Sequence, residues 1–352
     1  MSSRARTRVG VFGAGAIGAH VGTRLSAAGL PVVLFDRPQR VAAGPPERAV
    51  DARGRVYRPG HDLVLTDELE ALASVDICLV SVKAASTETV ARHLAPILPP
   101  GVATVSLQNG LRNPQRLRMH LSPVIAAVVG FNVVVGSEGV TTQTVPGKLY
   151  LGEGPTLASQ QALEALALAL RQSGLPTEIR SDITAVAAGK LLLNLNNGIG
   201  GATGLGIGQM LADADARACF SECLLEGRRV LAAAGHSIGR AGPLGARAVA
   251  AAMRLPTWIV RATAPVAPSA ITSTLADLRR GQPTEIDDLN GEIVALASAH
   301  SVPAPCNGVV VDAVHAHERA IAAGSKPTWV SPAKLRERMT KRRLAAGKLA
   351  AR

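Results

Sequence analysis

The chain has 352 residues, of which 47% are hydrophobic and only 2% aromatic, and its formal net charge is +12 at pH 7. This length can bury a large core and predicts two domains, with interiors built mainly from Ala, Val, Leu and Ile. Every apolar run is interrupted before it reaches about 18 residues, so the sequence argues against a membrane-spanning helix.

The positive charge is concentrated at the C-terminus. From Lys334 onward the sequence has eight Lys or Arg residues and one acid, Glu337, which leaves only +5 for the rest of the chain. A body charge of that size is ordinary for an enzyme that binds anions. We predict that residues 332–352 form a solvated, disordered tail rather than a nucleic-acid-binding arm. On this prediction, deletion of the tail leaves folding and turnover nearly intact.

The N-terminus and the cysteines indicate a reducing compartment. The N-terminal arginines precede an apolar stretch, as in a secretion signal, but glycines and His20 interrupt it, so we expect no signal peptide. The cysteines form no CxxC pair, and Cys219 and Cys223, spaced i, i+4, have no accompanying histidine pair. We therefore predict a cytoplasmic protein without a metal site. Its thiols are expected to be buried and free: Cys78, Cys219, Cys223 and Cys306.

The stretch from Val9 to Gly29, VGVFGAGAIGAHVGTRLSAAG, predicts a strand, a glycine turn and a helix. In a dinucleotide-binding unit the first glycine permits a tight turn, the second lets the backbone approach the pyrophosphate, and the third allows close helix–strand packing. The start of the helix adds free N–H groups that face the phosphates. A bare GxGxxG is weak, but this flanking context predicts nucleotide binding. The three positions are Gly13, Gly15 and Gly18.

The end of the next predicted strand, Pro31–Phe35, leaves the choice of nucleotide open. Asp36 lies eighteen residues past the third glycine, close to where an acid accepts a bond from an adenosine ribose. Arg37 and Arg40 follow, and their guanidinium groups suit a 2′-phosphate. The local chemistry therefore fits either NAD or NADP.

Two further strand ends carry polar residues. The run Val75–Val82 is continuously apolar, as in a buried parallel strand, and it stops at Lys83. A strand at Val102–Leu107 is followed by Gln108 and Asn109. Because the carboxyl ends of parallel strands line the ligand crevice, Lys83 and Asn109 are candidate site residues; a surface lysine and a turn asparagine are the alternatives. The other predicted elements are a loop with short strands at 44–60, a helix at 86–98, strands at 124–135 and 148–151, and a helix at 157–172.

Near Ser181 the pattern changes from short β runs to long Ala- and Leu-rich segments of helical period. We therefore predict a domain boundary at about residue 181, followed by an all-α domain. Residues 194–208 are so rich in glycine that a helix there would be costly, and we predict a flexible or kinked turn. The predicted helices are 183–195, 209–234, 243–253, 272–280, 285–299 and 307–323.

Four motifs occur in one order: GAGAIG in the N-terminal turn, VSLQNG at a strand end, KLLLN in the first helix after the boundary, and SAITSTLADLRRGQPTEIDDLNGEI. In this combination the sequence resembles the ketopantoate reductase (2-dehydropantoate 2-reductase) family over roughly Val9 to Glu318. The resemblance implies an α/β protein with an NADP-binding, Rossmann-type doubly wound sheet at 1–181 and an all-α substrate and catalytic domain at 182–331. It also implies NADPH-dependent reduction of 2-dehydropantoate to (R)-pantoate in pantothenate biosynthesis.

The resemblance assigns a role to each motif residue. It makes Lys190 the catalytic lysine, acting as general acid, and Glu285 its acidic partner. Taken alone, Lys190 would be a cation reaching out of an apolar helix, and Glu285 an acid near a helix start. Arg37 matches the position that recognises the NADP phosphate. The implied substrate-binding positions are Asn109, Asn194, Asn197 and Ser273. The implied cofactor-binding positions are Gly13, Ala14, Gly15, Ala16, Ile17, Gly18, Arg37, Lys83, Asn109 and Glu285.

Two positions depart from the family pattern. The family commonly has a second asparagine eight residues after the lysine, where this chain has Gly198, and an aromatic residue two before it, where this chain has Ala188. Asn197 can substitute for the missing asparagine only if the helix is locally distorted. Both differences lie beside the predicted active-site helix, so they leave the identity of the substrate open.

Three functions follow from these observations. The first is reduction of 2-dehydropantoate, and the second is a paralogous NAD(P)H-dependent reductase of another branched or bulky 2-keto acid. The third, a non-catalytic module that senses NADP, is disfavoured because Lys190 and Glu285 are both retained. We expect a small-molecule partner and neither a membrane nor a nucleic acid. The oligomeric state stays open, since the helical domain could serve as a homodimer surface or as a lid.

Overall fold

The computed structural model describes residues 6–136, 139–242, 244–263 and 270–350, with side chains up to residue 347. The chain divides into two compact units, Met1–Ile183 and Thr184–Arg352. This division falls close to residue 181, where the sequence pattern changes. The first unit is an α/β structure and the second is helical, as expected.

Many strands of the first unit coincide with predicted runs, but the strands at Leu63–Thr66, Val140–Val145 and Thr177–Arg180 were not predicted. Parallel pairing buries strands on both faces, which explains why runs such as VGVF and ICLV are apolar throughout. The strands are β1 (Val9–Phe12), β2 (Val32–Phe35), β3 (Arg48–Val50), β4 (Val56–Tyr57), β5 (Leu63–Thr66), β6 (Ile77–Val80), β7 (Ala103–Ser106), β8 (Val124–Val129), β9 (Asn132–Val135), β10 (Val140–Val145), β11 (Leu149–Gly152) and β12 (Thr177–Arg180).

The main sheet has eight strands in the order β12-β11-β8-β7-β6-β1-β2-β5. Its pairs are parallel except for β11 with β8. The chain runs outward from β1 to β2 and β5, and then returns to β6 on the other side of β1. The order of the strands therefore reverses between β1 and β6, and such a switch point is where open α/β sheets bind ligands.

Helices cover both faces of this sheet. The helices are α1 (Ala16–Ala27), α2 (Pro38–Val41), α3 (Thr87–Leu94), α4 (Asn113–Arg118) and α5 (Leu157–Gln172). Alternate residues of each strand enter opposite cores: Val9 and Val11 join the core that holds residues of α1 and α5, whereas Phe12 joins the core that holds residues of α3. The sheet is therefore doubly wound.

A second sheet covers the polar side of α1. Its strands β3 and β4 fall in the range 44–60, where short strands were predicted, whereas β9 was predicted as the end of a strand at 124–135 and β10 was not predicted. The sheet has the order β4-β3-β10-β9, and α1 contacts each of its strands. His20 and Arg24 are consequently buried. Arg24 donates to Ser173 O (2.5 Å) and lies over the Tyr57 ring, 4.1 Å from its centroid. Burial, with Arg24 nearby, lowers the pKa of His20 to about 4, so the ring is neutral at pH 7.

The second unit consists of helices and turns in its described ranges. Its helices are α6 (Ile183–Asn194), α7 (Asn196–Thr203), α8 (Ile207–Ala212), α9 (Ala214–Ala233), α10 (Ala246–Ala252), α11 (Thr257–Thr263), α12 (Ser273–Arg279), α13 (Asn290–Ala299), α14 (Pro305–Ala322) and α15 (Pro332–Ala350). The predicted helix 209–234 is divided at Asp213, whose side chain accepts from Ala216 N (2.8 Å) and so starts α9. The first residue of the predicted helix 243–253, Pro243, lies outside the described residues.

The glycine-rich segment is a helix, so the predicted flexible or kinked turn is wrong for Asn196–Thr203. Its glycines permit close contact with the region of α12. A Cβ atom on Gly200 would lie 2.6 Å from Thr272 Oγ1, and one on Gly201 would lie 2.5 Å from Thr274 Cγ2. The cost of glycine in a helix is therefore offset by an approach that a larger residue would prevent.

The C-terminal segment is also a helix, which corrects the prediction of a disordered tail for residues 332–350. Helix α15 packs on α9 and α14 through Leu335 and Met339, which are 0% and 3% exposed. These two residues are four apart and share a helix face. The many Lys and Arg residues around them concealed this short apolar stripe. Residues 351 and 352 lie outside the described part of the chain.

Two expectations from composition are also answered. The predicted buried, free thiols are confirmed for all four cysteines. Among the residues that the structure describes, every helix is too short or too polar to cross a membrane.

Candidate active site

The three glycines after β1 have the geometry that their predicted roles require. Gly13 has φ +103°, a conformation that side chains disfavour. A Cβ atom on Gly18 would lie 1.9 Å from Gly13 O, so α1 can pack against the turn only with glycine there. A Cβ atom on Gly15 would have nothing within 4 Å, so the backbone there borders open space. These residues fit the pyrophosphate of a dinucleotide.

The N-terminus of α1 begins at this open space. Gly15 is the N-cap and supplies no side-chain cap, and the first turn, which contains Ala16 and Ile17, has no acidic residue. The amide groups of the first turn are therefore available to an anion, and the helix dipole favours one. Ser81, at the end of β6, donates to Gly13 O (2.6 Å) and fixes the turn on the sheet. In the sequence, no motif marks Ser81 for this role.

The acid and the bases after β2 have different environments. Asp36 Oδ2 accepts from Ala14 N (2.7 Å) and Asp36 Oδ1 accepts from Arg37 N (2.8 Å), so both carboxylate oxygens bind backbone. Arg40 donates to Ala14 O (3.2 Å) and Gly44 O (2.8 Å). The Arg37 side chain is 87% exposed, and its Nε lies 3.8 Å from Asp36 Oδ1. Asp36 and Arg40 thus support the glycine turn, whereas the Arg37 guanidinium can reach a ligand.

Lys83 and Asn109 follow β6 and β7, strands that are neighbours in the sheet. Lys83 is exposed and Asn109 is half-buried. The buried Gln108 joins these two strand ends, because its amide donates to Val82 O (3.0 Å) and Thr87 Oγ1 (2.7 Å). Gln108 therefore holds Asn109 at the edge of the sheet. This supporting role of Gln108 was not predicted, because a single sequence does not distinguish a buried glutamine from an exposed one.

Lys190 and Asn194 lie one turn apart on α6 and so face the same side of the helix. Lys190 is half-buried and Asn194 is buried. Desolvation by burial lowers the pKa of Lys190. Ala188, where the family commonly has an aromatic residue, is fully buried.

The helix breaks directly after Asn194. Leu195 lies outside both α6 and α7, and its N–H donates to Leu192 O (3.3 Å), three residues back rather than four. The helix is therefore locally distorted just before Asn197, and the role of Asn197 in place of the missing asparagine stays a prediction. A Cβ atom on Gly198 would lie 2.4 Å from Asn290 Oδ1, so a larger residue at that position does not fit this helix packing.

Asn197 meets Ser273, the first residue of α12. The amide of Asn197 donates to Ser273 Oγ (3.1 Å), and Thr272 Oγ1 donates to Asn197 O (3.4 Å). Two of the predicted substrate-binding residues, distant in the sequence, are thereby adjacent in the structure. Glu285 is half-buried and directly precedes a short 3-10 turn, in which Asp288 N donates to Glu285 O (3.0 Å).

The predicted site residues are divided between the two units. In the first unit the glycine turn, Arg37, Lys83 and Asn109 all follow the carboxyl ends of β1, β2, β6 and β7. In the second unit Lys190 and Asn194 share one side of α6, Asn197 on α7 contacts Ser273 on α12, and Glu285 precedes the 3-10 turn. The residues of the first unit can bind a dinucleotide, and those of the second include a cation, a carboxylate and neutral hydrogen-bonding groups.

Two family models match the sequence: "Ketopantoate reductase PanE/ApbA" over residues 9–156, and its C-terminal counterpart over residues 182–318. The 2-dehydropantoate 2-reductase of Archaeoglobus fulgidus is 28% identical over 316 residues, which span 88% of this chain and 98% of that protein. The solved structure of a PanE/ApbA family ketopantoate reductase from Ralstonia eutropha has a TM-score of 0.75 and 28% identity, covering 90% of this chain and 100% of that one.

A likeness of fold extends to D-mandelate dehydrogenase, solved with NADH and anilino(oxo)acetate. Its TM-score is 0.73 at 18% identity, and it covers 90% of this chain and 100% of that one.

Proposed function

Because this chain belongs to the ketopantoate reductase family and is an oxidoreductase of that type, we propose that it reduces 2-dehydropantoate to (R)-pantoate with NADPH. The observation that carries the proposal is Lys190, a lysine with a lowered pKa, one helical turn from Asn194. A reductase of a keto acid needs such a group to protonate the alkoxide oxygen that forms.

The cofactor would be held by the residues around the glycine turn. Gly13, Gly15 and Gly18 shape the pyrophosphate site, and the first-turn amides of α1 face it. Bound NADPH supplies the hydride that the carbonyl carbon accepts. Lys83 and Asn109, which follow two neighbouring strands, would contact the cofactor or the keto acid.

The choice of NADPH over NADH is supported by the residues after β2. Both oxygens of Asp36 accept backbone N–H groups, so this carboxylate is committed to the turn. The exposed guanidinium of Arg37 can form bidentate hydrogen bonds with a 2′-phosphate. The opposing effect is that an acid at this position can accept a bond from a 2′-hydroxyl, which would favour NADH.

The residues of the helical unit would perform the proton transfer and bind the substrate. Lys190 donates a proton to the developing alkoxide and, before the transfer is complete, stabilises its negative charge. Asn194, Asn197 and Ser273 can bind the substrate carboxylate and hydroxyl without adding a further full charge. Glu285 orients the lysine or accepts a bond from a substrate hydroxyl.

The test is turnover of the purified protein with a panel of 2-keto acids, followed through oxidation of NADPH or NADH. The panel includes 2-dehydropantoate and 3,3-dimethyl-2-oxobutanoate, which has the same branched skeleton without the terminal hydroxyl. We expect the highest kcat/KM for 2-dehydropantoate with NADPH, because a site that hydrogen-bonds a hydroxyl rejects an analogue that lacks it. A preference for another keto acid would identify a paralogous reductase. Binding of NADPH without turnover of any panel member would identify a sensing module.

A further inference from the structure

A glutamate on α14 holds the residue next to Glu285. Glu318 Oε1 accepts two hydrogen bonds from Thr284, one from the backbone N–H (2.9 Å) and one from the hydroxyl Oγ1 (2.7 Å). Bonds to a charged acceptor are stronger than bonds between neutral groups. Glu318 therefore binds both the main chain and the side chain of the residue before Glu285.

The same contact fixes the backbone on the far side of Glu285. Thr284 Oγ1 accepts from Ile286 N (3.2 Å), so the threonine hydroxyl joins Glu318 to the start of the 3-10 turn. The following turn is closed by the bond from Asp288 N to Glu285 O (3.0 Å). Glu285 thus lies between Thr284 and Ile286. The N–H of Thr284 donates directly to Glu318, and the N–H of Ile286 donates to the Thr284 hydroxyl, which in turn donates to Glu318.

A second side chain of α14 contacts the same turn. His315 lies one turn before Glu318, and its Nε2 is 3.0 Å from Asp287 Oδ1 and 4.0 Å from Glu318 Oε2. The Asp287 side chain is 70% exposed, whereas the Glu318 side chain is 27% exposed. Water therefore screens the contact between His315 and Asp287 more than it screens the hydrogen bonds from Thr284 to Glu318.

We propose that Glu318 is a positioning residue that holds Glu285 in its working geometry. The proposal rests on the function proposed above, in which Glu285 acts on the lysine or on the substrate. Small displacements of a group that must meet a reacting substrate are costly, since a shift of about 1 Å can reduce the rate by about 100-fold. Glu318 exerts this effect through Thr284 and does not itself contact the substrate.

The experiment compares Glu318→Ala, Glu318→Gln and Thr284→Val in the full chain. Glutamine keeps a carbonyl oxygen that can accept both Thr284 bonds, whereas alanine removes the acceptor and Thr284→Val removes the hydroxyl link. Asp312→Ala is the matched control, because Asp312 is an acid on the same helix whose partner is Arg342. The measurements are kcat and KM for the keto acid, the Kd for NADPH, and hydrogen exchange of the amides of residues 284–288.

For Glu318→Ala we expect kcat/KM for the keto acid to fall about 10- to 100-fold. The amides of Thr284 and Ile286 should exchange faster, while the Kd for NADPH should change less than kcat/KM, because Glu285 is only one of the implied cofactor contacts. Glu318→Gln should restore most of the loss, and Asp312→Ala should match the wild type in every measurement. Thr284→Val combined with Glu318→Ala should cost less than the sum of the two single changes, because both remove the same link.

Three other outcomes can be distinguished from the expected one. If the wild type turns over and Glu318→Ala speeds exchange at Thr284 without changing kcat/KM, the positioning role is overturned while the proposed reductase function stands. If the wild type reduces none of the keto acids, the proposed function fails. The exchange data then still report whether Glu318 restrains the turn. A uniform loss of active protein in Glu318→Ala, with unchanged KM and no rescue by glutamine, would reduce Glu318 to a structural residue.

Discussion

Lys190 lies one helical turn from Asn194 on α6, and desolvation by burial lowers the pKa of its side chain. An ordinary lysine, with a pKa of about 10.4, holds its proton too firmly to donate well near neutral pH. Below its lowered pKa Lys190 is charged and can donate; above it the side chain is neutral and cannot. Between the lowered and the usual value the unfolded chain binds more protons, so this residue makes the free energy of unfolding rise with pH across that window.

Replacing Lys190 with alanine should lower kcat at least about 100-fold, because one change removes both a general acid and a stabiliser of the alkoxide. The decline of kcat at alkaline pH, which reports the lowered pKa, should also disappear. NADPH binding should hardly change, since the phosphate turn belongs to the other unit. Steady-state kinetics across pH and a binding titration measure these effects. Lys326→Ala, an exposed lysine in the same unit, is the control. Near-normal turnover of Lys190→Ala would remove this residue from the mechanism.

The choice between cofactors also depends on single residues. Arg37→Ala should weaken NADPH binding by about 1.5–3 kcal/mol, the range for hydrogen bonds to a charged group, and should hardly affect NADH. Arg92→Ala is a matched control, because Arg92 is another exposed arginine of the first unit and its loss changes the net charge equally. Binding titrations with both nucleotides measure the difference. Equal or better wild-type efficiency with NADH would show that Asp36 sets the preference, despite its bonds to the backbone.

At the level of secondary structure, α7 shows how packing can reverse a local propensity. Glycine in a helix interior costs about 1 kcal/mol relative to alanine, and Asn196–Thr203 contains three glycines. The helix forms because Gly198, Gly200 and Gly201 are buried against neighbouring side chains. The same close packing places Asn197 beside Ser273.

Gly201→Ala should therefore destabilise the protein, although alanine is the better helix former. The added Cβ atom would lie 2.5 Å from Thr274 Cγ2, and overpacking of this kind costs about 1–3 kcal/mol. Gly208→Ala is the matched control: Gly208 lies in α8, where a Cβ atom would have nothing within 4 Å. That change should leave stability unchanged or raise it by up to about 1 kcal/mol. Chemical denaturation of both variants measures the contrast, and equal stability would refute the packing explanation.

The elements that the sequence predicts well have either a strong helical period or a short, continuous apolar run. Helix α5 has the predicted bounds, and strand β6 lies within the predicted apolar run Val75–Val82. The second sheet was hard to predict because its strands are short and its partner face on α1 is polar. His20 and Arg24 are typical of an exposed helix face, and only the contact with this sheet accounts for their burial. Tertiary contacts, rather than local sequence, determine the second sheet and the burial of His20 and Arg24, as they determine the helical conformation of α7.

For the candidate site, the motif residues could be listed from the sequence but their supports could not. Asn197 and Ser273 are far apart in the chain, and their contact depends on the break at Leu195. Glu318 lies outside the four motifs, and Gln108 lies within one of them without a sign of its supporting role. They act by bonding to the backbone of a neighbouring motif residue, which a single sequence does not reveal.

For the whole molecule, the structure of α15 changes the interpretation of the positive charge. Most of the net charge of +12 lies from Lys334 onward, but this segment is packed on the helical unit. Arg336 pairs with Asp215 (2.7 Å) and Arg343 with Glu222 (3.0 Å), both largely exposed pairs. Exposed ion pairs contribute about 0–1 kcal/mol each, whereas burying a leucine side chain contributes about 1.5–3 kcal/mol. Apolar contacts, rather than charge, should therefore hold α15 in place.

Leu335→Ala tests whether α15 completes the fold of the helical unit. Leu335 is fully buried, so its truncation should lower the free energy of unfolding by about 2–5 kcal/mol. Leu344→Ala removes the same atoms from a side chain that is 62% exposed on the same helix, and it should change stability by less than about 0.5 kcal/mol. Deletion of residues 332–352 should be at least as damaging as Leu335→Ala, because it also removes Met339. NADPH binding by the first unit should survive in both point variants. Chemical denaturation followed by circular dichroism gives the stabilities. A Leu335→Ala variant as stable as the wild type would show that the segment is dispensable, as its composition alone suggests.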